Sequence, residues 1–295
     1  MTAGPQGVEV LLAEPLAKWT TFRIGGPAEV LCLPRGLDQL RTILAWAGER
    51  TKPITLLGGG SNVLVSDQGL AGAVVVLREG FDQVDEQTGG RDRVRIKAGA
   101  GLKLARLTAL AGQKGWADLV FLAGIPGTLG GATMMNAGTG QAAMDQVVRR
   151  LRVVDPAGRS RDLASSELNF SYRRLGLDPD LTVVEVELES RLAPAQEVAG
   201  RIKAALELKR QTQPLNWASA GSFFKNPPGD FAGRLIEAAG LKGARVGQAQ
   251  VSEVHANFIV NLGSATAEEV LTLAAKVKRE VKAGFQVELK PEVRF

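Results

Sequence analysis

Apolar side chains at Leu37, Leu40, Leu44 and Ala47 return every three or four positions, which predicts an amphipathic helix over residues 37–49. β-rich runs flank it, AEVLCLP (28–34) before and PITLLG (53–58) after, so the chain opens as strand, helix, strand, a small α/β unit. VLVS (63–66), AVVVL (73–77) and VRIKA (94–98) continue the strand pattern, and Leu104, Leu107, Leu110 and Ala111 share one face of a helix over about 101–114. VVRRLRVVD (147–155), the turn Pro156-Ala157-Gly158 and the strand after it lead to LTVVEVELES (181–190), which alternates as a half-buried strand should. Residues 20–190 therefore read as mostly β with interspersed helices, in two adjoining lobes of about 1–72 and 73–190.

The pattern changes after Ala193. Val198, Ile202, Ala205 and Leu206 mark a helix over 195–211 that Pro214 ends. SAGSFFKNPPGD (219–230) has no period; Asp230 is placed to cap a helix over 231–239, with Gly240 as its stop. NFIVNL (257–262) reads as a strand, and Thr266 with Glu269 makes a capping box ahead of Val270, Leu273, Val277 and Val281. QVELKPEVRF (286–295) closes the chain as a strand and short tail, so residues 191–295 form a second domain of α+β class.

Composition narrows the chemistry. One cysteine, Cys32, and one histidine, His255, exclude disulfide frameworks, iron–sulfur clusters and multi-ligand Cys/His zinc sites supplied by this chain, and no metal is expected. The net charge of +5 is spread without blocks, which suits a small polyphosphate ligand or mere solubility and gives no support to nucleic-acid binding. No apolar run approaches the roughly 20 residues needed to cross a bilayer. The start, MTAGPQGVEVLLAEP, has no basic lead and carries Glu9 and Glu14, so no signal peptide is predicted and a cytoplasmic protein is expected.

Two glycine stretches stand apart. LAGIPGTLGGATMMNAG (122–138) carries Gly124, Gly127, Gly130, Gly131 and Gly138, and Gly58-Gly59-Gly60-Ser61-Asn62 follows a strand. Either they present bare backbone N–H groups to a pyrophosphate, with a short helix after Thr128 aiming its first turn at the anion, or they are tight connections whose small residues allow close packing. The presence of two such loops favours a dinucleotide, which needs more than one cradle. The first loop is not the G-x-G-x-x-G fingerprint opening a helix, because Asn62 leads into β-rich sequence, and a Rossmann fold is disfavoured. Tyr172-Arg173, Ser222, His255 and Glu292 are polar side chains in odd places, but each alone is what a surface, a turn, a core edge or a chain end also supplies.

The ordered set TTFRIGG (20–26), GGGSN (58–62), GIPGTLGGATMMNAG (124–138), SYR (171–173), SAGSFFKNP (219–227), LIEAAGLKG (235–243), HANFIVN (255–261) and PEVRF (291–295) resembles the UDP-N-acetylenolpyruvoylglucosamine reductases, the MurB family, over nearly the whole chain. The resemblance implies a PCMH-type FAD-binding region over 1–190, made of the two α/β lobes, and a substrate-binding domain over 191–295. It also implies non-covalent FAD, NADPH as co-substrate, and reduction of UDP-N-acetylglucosamine enolpyruvate to UDP-N-acetylmuramate for peptidoglycan. In that scheme Arg173, with Arg174 beside it as an alternative, and a partly protonated Glu292 stabilise developing charge, while Ser222 protonates carbon.

Flavin contacts are expected at Gly58, Gly59, Gly60, Ser61, Asn62, Ile125, Pro126, Gly127, Thr128, Gly130, Gly131, Asn136 and Gly138, and substrate contacts at Tyr172, Lys225 and Asn226. Tyr172 is the only tyrosine, so the chain resembles the compact type without a tyrosine-bearing insertion. A monomer without nucleic-acid or membrane partners is expected. Two other readings stay open: an FAD-linked oxidase of a sugar or hydroxy acid, and a nucleotide-binding module without activity.

Overall fold

The computed structural model describes residues 4–295 apart from Gly89, Arg91 and Gln141, with Thr88 described through its backbone alone. Met1–Ala3, the start of the stretch expected not to be a signal peptide, lie outside the described residues. The chain divides into two compact units and passes between them repeatedly. One comprises the residues up to Leu12, Val30–Gly59 and Ala71–Leu208; the other comprises Ala13–Glu29, Gly60–Leu70 and Lys209–Phe295. This differs from a single cut near residue 190.

In the first unit, β1 (Glu9–Pro15), β2 (Pro27–Leu33), β3 (Ile54–Leu56) and β4 (Leu70–Val75) form a sheet in the order β1-β2-β4-β3, with β3 parallel to β4. Helix α1 (Leu37–Glu49) buries Leu40, Ile43, Leu44, Trp46 and Ala47 in one core with Val30, Cys32, Ala73 and Val75. Each large aliphatic side chain so buried contributes about 1.5–3 kcal/mol. A second, antiparallel sheet joins β5 (Val84–Thr88), β6 (Arg93–Gly99), β9 (Val148–Val154), β10 (Ser160–Ala164) and β13 (Thr182–Arg191) in the order β10-β9-β13-β6-β5. Between its strands lie α2 (Leu104–Lys114), α3 (Leu129–Met134), the short ladder of β7 (Gly138–Thr139) and β8 (Ala142–Ala143), α4 (Met144–Val147), and the hairpin of β11 (Phe170–Ser171) and β12 (Arg174–Leu175). Helix α5 (Ala195–Thr212) follows β13.

The second unit is built on an antiparallel sheet of β14 (Ala218–Ser222), β15 (Arg245–Val246), β16 (Ala249–Val251) and β17 (Phe258–Asn261), ordered β14-β17-β16-β15, with α6 (Ala232–Ala238) and α7 (Ala267–Phe285). The expected stripe Val270, Leu273, Val277 and Val281 is buried, and the Thr266–Glu269 capping box is formed. The early segments belong here because Phe22, Ile24 and Leu64 are part of this core beside Phe223, Leu235 and Val277. Polar bonds tie them further: Asn261 Nδ2 donates to Phe22 O (3.0 Å), and the Asp67 carboxylate accepts from the N–H groups of Ala267 (2.9 Å) and Glu268 (3.2 Å) at the start of α7.

Several expected elements come out differently. VLVS (63–66) is not a strand; Val63 forms one isolated bridge with Arg294, and Gly69 N–H closes a turn on Ser66 O. The 286–295 tail is not a strand either. Its backbone bonds alternate between two segments, Lys290 O and Glu292 N–H toward Lys225 and Phe223, Arg294 N–H and O toward Asn62 and Leu64, so no continuous ladder forms. Helix α2 begins at Leu104 because Gly101 and Leu102 are held in a tight connection by bonds to Phe81 O and Gly99 O, and a 3-10 turn, Ala117–Leu122, separates α2 from the glycine loop. Asp230 does not cap α6. Asn226 Oδ1 accepts the Ala232 N–H (3.0 Å), while Asp230 pairs with Arg234 and takes the Phe231 N–H, contacts that lower its carboxyl pKa to about 2. The alternation of β1 is weak, and the hydrophobic pattern did not announce it.

Asp67 lies 200 residues from the helix end it caps. Asp67→Ala should therefore cost about 1–2 kcal/mol in denaturant unfolding, the range for a lost N-cap acceptor, and a variant as stable as the parent would deny the residue that role.

Candidate active site

At the end of β3 the chain opens into Gly58 and Gly59, both exposed. A Cβ on Gly59 would lie 2.4 Å from Gly127 Cα, and one on Gly58 would lie 2.8 Å from Thr128 Oγ1, so the two glycine loops meet backbone to backbone. Glycine at position 59 is therefore demanded by the protein itself. The same holds at Gly60, Gly130 and Gly138, where a Cβ would fall 2.0 Å from Trp19 O, 2.9 Å from Ala100 Cβ and 2.4 Å from Ala142 O. Gly131 is different. The nearest atom to its missing Cβ is Thr128 Oγ1 at 3.5 Å, an ordinary contact, so the packing does not call for glycine there. Glycine inside a helix costs about 0.5–1 kcal/mol relative to alanine, a cost that the protein's own packing does not explain at Gly131.

The first turn of α3 does not offer its N–H groups to an anion. Leu129 and Gly130 donate to Leu102 O and Ala100 O (both 2.8 Å), and Gly131 N–H faces Thr128 Oγ1 (3.4 Å), which caps the helix. These bonds, with Leu104 N–H to Gly127 O (3.0 Å), brace the loop against residues 100–104. On the outer side of the loops Gly58, Gly59, Gly124 and Pro126 are exposed and Ile125, Gly127 and Gly131 half-buried, with Ile125 N–H already donating to Leu122 O (3.0 Å). A glycine-lined ridge with a Cβ-sized space at Gly131 fits a flat cofactor packed against backbone.

Asn136 is buried and its amide is fully engaged. Oδ1 accepts the Asp145 N–H (3.0 Å), and Nδ2 donates to Asp145 Oδ2 (3.3 Å) and Ser171 O (3.1 Å). Asn136 and Gly138 are thus explained by the protein's own packing, and Asn136 ties the glycine loop to the β11–β12 hairpin. Tyr172 and Arg173 form the tip of that hairpin, with Arg173 at φ +57°, a conformation that costs a residue with a side chain and is a pointer to function. The Arg173 guanidinium carbon lies 5.2 Å from the Tyr172 ring centroid, a cation–π arrangement. Arg174 is exposed and paired with Ser171 in the ladder, so the special conformation belongs to Arg173.

In the second unit, Ser222 ends β14. Between the pairs Ser219↔Val260 and Ser222↔Phe258 one extra residue is inserted on β14, and Gly221 adopts φ +77°, a glycine bulge that re-aims the next side chain. The Phe223–Phe224 peptide is bonded from the tail: Glu292 N–H donates to Phe223 O (2.8 Å) and Phe224 bridges Pro291. The Glu292 carbonyl accepts from Asn62 Nδ2 (3.1 Å), so Asn62, expected at the flavin, has its amide on the tail. Ser222 and Glu292 are brought onto adjoining backbone although 70 positions separate them. Lys225 follows in the same stretch, its N–H on Lys290 O (2.9 Å), and Asn226 is exposed with its Oδ1 on α6.

His255 is not a chemical group of this site: Nδ1 accepts the Asn257 N–H (3.2 Å), the ring packs 5.0 Å from Phe258, and burial followed by nearby Lys242 lowers its pKa, keeping it neutral. Among the described residues no cluster of His, Cys, Asp or Glu could hold a metal ion. Sequence reading missed Asn257 as an organiser. A polar residue at the head of the apolar run NFIVN was the available signal for it.

A family model for an FAD binding domain matches residues 28–164, and one for the C-terminal domain of UDP-N-acetylenolpyruvoylglucosamine reductase matches 213–295. A UDP-N-acetylenolpyruvoylglucosamine reductase of Moorella thermoacetica is 45% identical over 288 residues, 97% of this chain and 93% of its own. A second, from Symbiobacterium thermophilum, is 44% identical over 96% of this chain and 91% of its own. The crystal structure of the Thermus caldophilus UDP-N-acetylenolpyruvylglucosamine reductase superposes with a TM-score of 0.81 at 37% identity, covering 97% of each chain. With both domains matched and relatives of this identity along almost its entire length, the chain belongs to the UDP-N-acetylenolpyruvoylglucosamine reductase (MurB) family.

Proposed function

We propose that this protein is an NADPH-dependent flavoenzyme that reduces the enolpyruvyl group of UDP-N-acetylglucosamine enolpyruvate, giving UDP-N-acetylmuramate for peptidoglycan, in the cytoplasm and as a monomer. The FAD-binding region is assigned to 1–190 and the substrate-binding domain to 191–295. The observation that carries the reading is the Glu292 N–H bond to Phe223 O, which sets a serine hydroxyl and a carboxyl on neighbouring backbone within the family's C-terminal domain. Among the described residues no helix is long and apolar enough to cross a membrane.

When bound, FAD supplies two-electron transfer between NADPH and the substrate's double bond. Gly58, Gly59, Ile125, Pro126, Gly127 and Gly131 would hold it through backbone, with Ser61 nearby in the chain. As the vinyl carbon takes up hydride, negative charge collects on the neighbouring carbon and spreads into the substrate carboxylate. Arg173 stabilises that charge, and Glu292 does so in its protonated form, since two ionised carboxyls side by side repel. Ser222 then delivers a proton to the carbon and recovers one from solvent. Tyr172 and Lys225 face the nucleotide, with the Asn226 amide N–H groups as further donors. Cys32 offers no covalent flavin link, because it is buried and burial raises its thiol pKa to about 11. An oxidase of a sugar or hydroxy acid has no carbanion to protonate and no use for Ser222, and relatives matched along both domains are named as reductases.

Four measurements test this. Purified protein should be yellow and oxidise NADPH only when the enolpyruvyl nucleotide is present, and Ser222→Ala should slow flavin reoxidation by that nucleotide about 10²–10⁴-fold while NADPH still reduces the flavin. Oxidation that tracks oxygen instead would favour the oxidase, and UDP-sugar binding without flavin would favour the inactive module. Gly131→Ala should hold or raise the melting temperature yet release flavin at least about tenfold more readily; unchanged flavin affinity would remove Gly131 from the cradle. Acid precipitation should leave a colourless pellet and a yellow supernatant, and a yellow pellet would mean covalent flavin.

A further inference from the structure

Residues 223 and 224 leave β14 just beyond its last register pair, Ser222↔Phe258, yet both are about 1% exposed, so their peptide groups need partners inside the protein. One residue supplies most of them. Asn257 O accepts the Phe223 N–H (2.7 Å), Asn257 Oδ1 accepts the Phe224 N–H (2.9 Å), and Asn257 Nδ2 donates to Phe224 O (2.8 Å). The side chain acts as a missing strand residue, offering Phe224 both a donor and an acceptor. It is itself buried, and its own N–H is satisfied by His255 Nδ1.

On the other side the Phe223 carbonyl accepts the Glu292 N–H (2.8 Å), and Lys225 N–H donates to Lys290 O (2.9 Å). The Phe223 peptide is thus held between Asn257 on its N–H side and Glu292 on its C=O side, with Ser222 the residue before it. A side chain serving only to fill this space could be leucine. A buried amide gains nothing over an apolar group unless its hydrogen bonds are made, and what they contribute here is direction.

We propose that Asn257 is a positioning residue for proton delivery: by clamping Phe224 it sets where the Ser222 hydroxyl and the Glu292 backbone stand relative to each other. The proposal rests on the reading of Ser222 as proton donor. The Asn257 amide is spent on the Phe224 peptide groups, so the residue is expected to bear on the half-reaction that Ser222 serves and not on reduction by NADPH.

The test is stopped-flow spectroscopy of the flavin-loaded protein in both half-reactions, on Asn257→Asp, which keeps the shape but loses the donor to Phe224 O, and on Asn257→Ser, which is uncharged and loses the clamp. Both should reoxidise with the enolpyruvyl nucleotide about tenfold or more slowly than the parent, with an enlarged solvent deuterium isotope effect, while reduction by NADPH stays within about twofold. Amide exchange at Phe223 and Phe224 should quicken in either variant whether or not flavin is bound. Reoxidation at the parent's rate in the serine variant, or equal slowing of both half-reactions, would overturn the proposal, and the serine variant decides the matter if the aspartate variant does not fold. Ser222→Ala is run beside them. Slow reoxidation there with a normal Asn257→Ser sinks the positioning role alone; normal reoxidation there sinks the reading of Ser222 itself.

Discussion

Irregular backbone survives inside a protein when each buried N–H and C=O finds a partner, and this chain meets that demand repeatedly with asparagine. The side chain of asparagine carries the same donor and acceptor as a peptide group, so it can stand in for a strand that is not there. Asn257 does this for Phe224, Asn261 for Phe22, Asn62 for the Glu292 carbonyl and Asn136 for Ser171. Each of these bonds spans at least 33 positions in sequence, so each closes a long loop that local structure could not close. The aperiodic segments that carry Arg173, Ser222 and Glu292 are all held this way.

The same arrangement explains what could be read from the residues beforehand. Helices α1, α2 and α7 were legible because an apolar stripe, joined in α7 by a capping box, is written within a few turns of the chain. That the fold is not a Rossmann fold was legible in Asn62 leading out of the first glycine loop into β-rich sequence, whereas its PCMH type came from the family resemblance. The interleaving of the two units was not legible, since it depends on Phe22, Ile24 and Leu64 joining a core whose other members begin near residue 220. A pattern of period two in VLVS and in the tail fits a strand equally well, and only the positions of Phe223 and Asn62 show that the tail bonds to two segments in turn. Arg173, Ser222 and Glu292 carried no local mark; their grouping came from a family resemblance, and the bulge at Gly221 and the positive φ at Arg173 are features that only coordinates reveal.

Glycine gives a sharper lesson. A run of glycines suggests a ligand, but Gly59 and Gly130 are needed so that backbones may approach, and the N–H groups of the first turn of α3 are already used. The proposed cradle is thus shaped by glycines that serve the fold, its backbone braced by the protein's own hydrogen bonds. Gly131 is separated from this group by the space around it, so packing does not demand glycine there and the proposed flavin contact would give it a reason.

A serine hydroxyl is a poor acid near neutral pH, so its usefulness as a proton donor cannot come from acidity tuned by surroundings as it can for a carboxyl or an imidazole. What the protein can supply is position: a donor held at the right distance and angle converts an unfavourable encounter into a unimolecular step worth several kcal/mol. That places the selective burden on backbone geometry, and the geometry at Ser222 is set by a glycine bulge on one side and by the Asn257–Phe223–Glu292 chain of hydrogen bonds on the other. Under the proposed function, the acid that protonates carbon is weak by nature and effective by placement, so that Gly221 and Asn257 serve it by fixing backbone rather than by supplying chemistry.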